Sequence, residues 1–220
     1  MSVLLLRLAG PMQSWGVQSR FTVRDTGLEP SKSGVVGLCC AALGRRRDAP
    51  IADLAALRLG VRADQEGLLA RDYHTAQDIL TPTGGTKPTE VSTRYYLADA
   101  RFLACLEGDE ALLRQLHDAL RDPRWPLCLG RRAFVPGEPV WLGDGLHPNE
   151  SLTQALAAYP WLGRDPRRRP ERVRVVLEDP EGIEVRPDQP ISFAERRFLP
   201  RRVRTEFIPA PPTREEEPCI

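Results

Sequence analysis

Apolar positions along the chain fall into short blocks whose spacing switches between two and three-to-four residues. Val3, Leu4, Leu5, Leu6 and Leu8 form a β-favouring run ended by Gly10-Pro11, which predicts a buried strand. Met12 to Pro30 is polar and turn-rich and reads as a long loop with some extended structure. Gly34 to Leu43 is apolar almost all round, the pattern of a helix buried on most sides, with Pro30, Ser31 and Ser33 as start signals and Gly44 as C-cap. Ile51 to Leu57 suits one or two helical turns. Leu57, Leu59 and Val61 alternate with Arg58, Gly60 and Arg62, a half-buried strand.

Leu69 to Ala76 and Val91 to Leu97 are β-like and flank Ile79 to Glu90, which is rich in Thr, Pro and Gly. Together they predict a long hairpin with a mobile tip. Ala100, Phe102, Ala104 and Leu106 alternate along a further strand. Asp109 then caps a helix with a Leu112, Leu113, Leu116, Leu120 stripe, stopped by Pro123. Pro126 to Leu129 is short and apolar, Val140 to Leu142 suits another strand, and Ser151 to Ala158 a short helix. Val173, Val175 and Leu177 run into Asp179-Pro180-Glu181-Gly182, and Ile183 and Val185 return, which predicts a second hairpin. Phe193 to Ile208 is β-like and Arg-dense.

With the hairpin set aside, Val3 to Leu129 reads strand, helix, strand, strand, helix, strand. That is the α+β, ferredoxin-like βαββαβ plait, which also builds the RNA-recognition module. The expected organisation is a domain over residues 1–142 with a hairpin at about 69–97, a β-rich extension over 143–208, and a disordered tail over 209–220.

Composition changes this picture little. The 220 residues carry 31 Lys+Arg against 30 Asp+Glu, a net charge of +1, and 41% apolar residues. That excludes a collagen-like or wholly disordered chain. No apolar run is long enough to cross a bilayer, and Met1 to Leu8 lacks the basic leader of a signal peptide, so the expected location is cytoplasmic with no membrane partner. The five cysteines have no zinc spacing and read as buried hydrophobes in a reducing compartment. Of the basic residues only Lys32 and Lys87 are Lys; the rest are Arg, whose planar fork suits phosphate and bases, although codon bias produces the same excess.

The chain contains no phosphate-binding loop, dinucleotide fingerprint, nucleophile elbow or zinc-protease motif. No cofactor, metal or catalytic residue is assigned. His74, in Arg71-Asp72-Tyr73-His74-Thr75, is either a structural histidine or a general base with Tyr73 or Lys87, as in a metal-independent ribonuclease. Candidate RNA contacts lie in several short segments. Gln13, Ser14 and Trp15 follow the first strand, then Arg20 and Arg24; Trp15 either stacks a base or plugs the core. Lys32 and Ser33 stand where a helix begins and attracts phosphate, or are plain capping residues. Arg45 opens an Arg cluster behind that helix. Arg94 and Tyr95 sit at the hairpin foot, and Gly130-Arg131-Arg132 is a tight turn presenting two forks.

Several of these segments together resemble one family. They are Leu6 to Gly16, Pro30 to Gly34, Arg71 to Thr75, Arg94 to Ala100 and Leu129 to Arg132. The chain resembles the type I-E branch of the Cas-five family, within the RAMP superfamily, over about Val3 to Leu142. Members are subunits of Cascade, the CRISPR surveillance complex of antiviral defence. The resemblance implies a ferredoxin-like domain with a hairpin thumb, binding the 5′ handle of the CRISPR RNA without cutting it. It also implies contacts to the backbone subunit CasC and the large subunit CasA, and an indirect role in target DNA recognition. The alternatives are a metal-independent endoribonuclease acting on repeat RNA and a protein-only structural adaptor.

Overall fold

The computed structural model describes residues 1–16 and 22–213. In chain order these form β1 (Ser2–Ala9), β2 (Met12–Gln13), β3 (Val23–Arg24), α1 (Lys32–Leu43), α2 (Ala52–Ala56), β4 (Arg58–Gln65), β5 (Leu68–Leu80), β6 (Thr86–Ala98), β7 (Arg101–Gly108), α3 (Glu110–Arg121), β8 (Trp141–His147), α4 (Leu152–Ala158), β9 (Arg172–Glu178), β10 (Glu184–Ser192) and β11 (Arg197–Pro209). The fold is mixed α+β, with mostly antiparallel sheets and few helices. Seven strands form one sheet in the order β10-β11-β9-β4-β7-β1-β8; β2, β3, β5 and β6 form a second.

β1 explains why the first apolar block is unbroken. Leu4, Leu6 and Leu8 join the core beneath α1 and α3, while Val3 and Leu5 join a second core beneath α4. A strand covered on both faces has no solvent side to mark with polar residues. β7 is divided in the same way, Phe102, Ala104 and Leu106 on one face and Leu103 and Cys105 on the other. α3 keeps one wet face, so Asp109 as cap and its leucine stripe were legible at once. Cys39, Cys40 and Cys105 are buried and unpaired. Burial pushes the Cys39 thiol up to about 12 and Cys40 to about 11, so both are protonated packing groups. No helix among the described residues is long and apolar enough to cross a membrane.

Three local expectations are corrected. Residues 126–129 are not a strand; the neighbour of β1 on that side is β8. Leu129 instead is fully buried, accepting from the Ser14 N–H and donating to the Phe134 carbonyl. β9 and β10 do not pair as a hairpin, because β11 inserts between them: Val203 sits opposite Glu178 of β9 and Glu184 of β10. Alternation announces a strand but not its partner. The hairpin tip is also shorter than expected. β5 and β6 pair out to Leu80 opposite Thr86, and the Thr81 hydroxyl closes the turn on Gly85. Most of β5 is exposed, so its ladder rests on backbone bonds and carries no apolar period to read.

The boundary at 142 falls inside β8, and β9 hydrogen-bonds directly to β4. The first residues of the expected tail are held in place: the Ala210 N–H donates to the Glu171 carbonyl and the Trp161 N–H to Pro212. The remainder of that segment, 214–220, lies outside the described residues.

Candidate nucleic-acid interface

The segment leaving β1 is built around Gln13. Its side chain is fully buried, and its amide donates to the carbonyls of Leu8 (3.0 Å) and Ala100 (2.7 Å). Its oxygen accepts from the Trp15 indole N–H at 3.2 Å. The Trp15 ring, 1% exposed, is thereby held in the core under the first turn of α1. Gly34 is required there, since a Cβ would lie 2.8 Å from the ring. Gln13 and Trp15 are therefore core residues; a ring with no free face stacks no base.

What Gln13 and Trp15 position is the backbone beside them. The Ser14 N–H donates to the Leu129 carbonyl at 3.1 Å, and the Ser14 hydroxyl to the carbonyls of Tyr95 and Asp25. Gly130 follows with φ +88°, and a Cβ there would overlap the Ser14 carbonyl oxygen. Only glycine lets the two segments touch. The turn then delivers Arg131, whose guanidinium donates to the Arg24 carbonyl at 3.1 Å and lies 5.5 Å from the centre of the Phe134 ring.

Arg24 in β3 stands beside Arg94 in β6, the two being register partners. Both guanidiniums act on that of Arg131. Arg131 is held below its ordinary value, first by partial burial and then by Arg94 and Arg24, with Asp25 and Asp72 offsetting part of the effect. Arg131 stays charged, and the locality is left with a surplus of positive charge. Ser14, Arg24, Asp25, Ser33, Gly130 and Arg131 line a single cleft of about 320 Å³ at the start of α1. Arg132 lies exposed just beyond it.

Three other expected contacts do not reach this cleft. Lys32 is 1% exposed and its ammonium bonds Glu178 at 2.8 Å. Its backbone N–H, at the start of α1, is taken by the Asp188 carboxylate at 2.7 Å, so the helix terminus already holds an anion of the protein's own. Arg45 sits at the other end of α1, about 18 Å away for a 12-residue helix. It grips Asp53 through both terminal nitrogens, at 2.6 and 2.5 Å. Tyr95 alternates with Arg94 and Tyr96 along β6, and Tyr96 meets the Phe134 ring at 5.9 Å, so the Tyr95 side chain is on the other face of the hairpin. Arg20 lies outside the described residues.

The structure also separates His74 from Lys87, one of the two partners named in the ribonuclease alternative; the other, Tyr73, is its neighbour along β5. His74 is opposite Ser92 and Lys87 opposite Ile79, five residues along the ladder, or about 17 Å at strand spacing. Lys87 pairs with Glu90, and the Nδ1 of His74 is 3.7 Å from Asp72.

Sequence reasoning missed the far wall of the cleft, which is made by Phe193 and Phe198 around the β10–β11 turn. It also missed Asp188, which ties that hairpin to α1. Two phenylalanines five residues apart in an Arg-dense strand were the available signal, but nothing local placed them beside α1.

A family model described as CRISPR-associated protein (Cas_Cas5) matches residues 3–204. The chain is 37% identical over 161 residues to the CRISPR system Cascade subunit CasD of Escherichia coli K12, a match covering 64% of this chain and 70% of that protein. It also resembles two solved structures. One, a crystal structure of a Cas protein, is 46% identical with a TM-score of 0.79, covering 96% of this chain and 98% of the other. The second is a chain of a CRISPR RNA-guided surveillance complex, 35% identical with a TM-score of 0.78, covering 94% and 90%.

Proposed function

The chain belongs to the Cas5 family of CRISPR-associated proteins, and from that premise we propose that it is a non-catalytic subunit of a Cascade-type surveillance complex that holds the 5′ handle of the CRISPR RNA. The handle would lie in the cleft between the start of α1 and the Gly130 turn. The order β4-β7-β1-β8, with α1 and α3 on one face, is read here as the ferredoxin-like plait. The β5–β6 hairpin is its thumb, and β9 to β11 extend the sheet. In this reading the subunit works in the cytoplasm, touches the backbone subunit CasC and the large subunit CasA, and affects target DNA only through the guide.

The observation that carries the proposal is the gathering of Arg24, Arg94 and Arg131 around a backbone turn that only glycine allows. Single-stranded RNA needs phosphate contacts that set its register, which clustered guanidiniums supply. Neither the Lys32 ammonium nor the first N–H of α1 contributes, since both are paired internally.

Replacing Arg131 and Arg132 together with Ala tests the proposal. Handle RNA should bind more weakly, and the slope of log affinity against log salt should shrink by about 1.4, at ~0.7 for each phosphate no longer neutralised. Fluorescence anisotropy across a salt series reads both. Unchanged affinity and slope would remove these residues from the site.

A further inference from the structure

We infer that Phe198, backed by Phe193, is a stacking platform for an unpaired nucleobase of the strand whose phosphates Arg24 and Arg131 hold. This rests on reading the cleft as an RNA site, and adds to it a place where a base is received.

Phe198 is 42% exposed and lines the same cleft as Arg24 and Arg131. The rest of that lining is polar or glycine apart from Phe193 and the rim of Trp15, so Phe198 is the aromatic ring presented there to solvent among the described residues. A ring left bare in a basic cleft is matched by one ligand chemistry above others. A single-stranded nucleic acid carries anionic groups and flat apolar faces at alternating positions, and uses both at once. Asp25, in the same cleft, is compatible with base contact but not with a second phosphate beside it.

The ring is also held still. Phe193 meets it edge-on, with centroids 6.4 Å apart and planes at 62°. Phe193 is packed against the α1 core, and its carbonyl accepts from the Arg47 Nε at 2.9 Å. The turn between the two rings is fixed by Arg196 in the left-handed region (φ 53°) and by the Ser192 hydroxyl, which accepts from the Glu195 N–H. A rigid ring loses little conformational freedom on stacking. Because phenylalanine has no hydrogen-bonding group, the subsite accepts any base.

The test uses the full chain and two fluorescein-labelled probes, an adenosine RNA octamer and an octamer of abasic ribose-phosphates. Phe198→Ala should weaken the adenosine octamer about 5- to 150-fold, the range for losing one stacked base, and leave the abasic octamer unchanged. Phe198→Trp should restore or tighten binding. Arg131→Ala should weaken both probes. If Arg131→Ala weakens both and Phe198→Ala weakens neither, or weakens both equally, the stacking platform is overturned while the RNA cleft stands. If the unaltered protein binds neither probe, the cleft assignment falls, and the platform with it.

Discussion

Asp188→Ala should lower the unfolding free energy by about 3–5 kcal/mol, the usual effect of removing one partner from a buried charge network. Asp188 is 2% exposed. Its two oxygens accept from the Arg201 guanidinium at 2.7 and 3.0 Å, and one also accepts the Lys32 backbone N–H. Behind it Glu178 accepts from the Lys32 ammonium and from the Leu59 N–H. Two cations and two carboxylates are thus enclosed together, and deleting one carboxylate leaves Arg201 and Lys32 with Glu178 alone. Burial already holds Lys32 below the ordinary lysine value, and losing Asp188 pushes it further down. A domain of this size has about 5–15 kcal/mol in total, so the loss is a large fraction of it. At about 2–4 °C per kcal/mol, melting should fall by roughly 6–20 °C. Asp188→Asn, which keeps an acceptor for Lys32, should lie between. A loss below about 1 kcal/mol would mean that the network is solvated and does not clamp β10 and β11 onto α1.

Gly130→Val should have the larger effect on binding. At φ +88° a β-branched residue is strained by about 1–3 kcal/mol, and its Cβ overlaps the Ser14 carbonyl oxygen. Ser14 has little room to yield, because its N–H and hydroxyl are both engaged and Trp15 beside it is locked by Gln13. The turn must therefore move, and Arg131 moves with it, away from the Arg24 carbonyl. Affinity for single-stranded handle RNA should fall at least tenfold, while melting falls by roughly 2–12 °C, less than for Asp188→Ala. Parallel anisotropy and thermal melts measure the two. Full affinity in a variant that melts normally would show that the turn does not place Arg131.

The particular residues show what a sequence can and cannot reveal here. β1, α3 and the β5–β6 hairpin were legible because each signals itself locally: an apolar run, a capped stripe, two β-like flanks around Gly84-Gly85. The Gly130 turn was legible for the same reason, since glycine followed by two arginines is a local pattern. Which strand lies beside which was not, because β11 wedges between β9 and β10 through pairings set by the whole sheet. The fates of Trp15 and Lys32 were equally non-local. Trp15 is core because Gly34 leaves space for it, and Lys32 is buried because Glu178 and Asp188, some 150 residues later, receive it. Phe193 and Phe198 reach the cleft by the same long-range closure. A polar residue's role depends on what the fold brings to it, and that information is spread along the chain.

The central claim is most directly tested by photocrosslinking in the assembled complex, with 4-thiouridine placed in turn at each position of the CRISPR RNA 5′ handle and the attached peptides identified by mass spectrometry. The account predicts crosslinks on the Gly130–Arg131 turn, on Ser14 or Arg24, and on Phe193 to Phe198. Handle crosslinks confined to α3, α4 or β8, with none on those three segments, would contradict it.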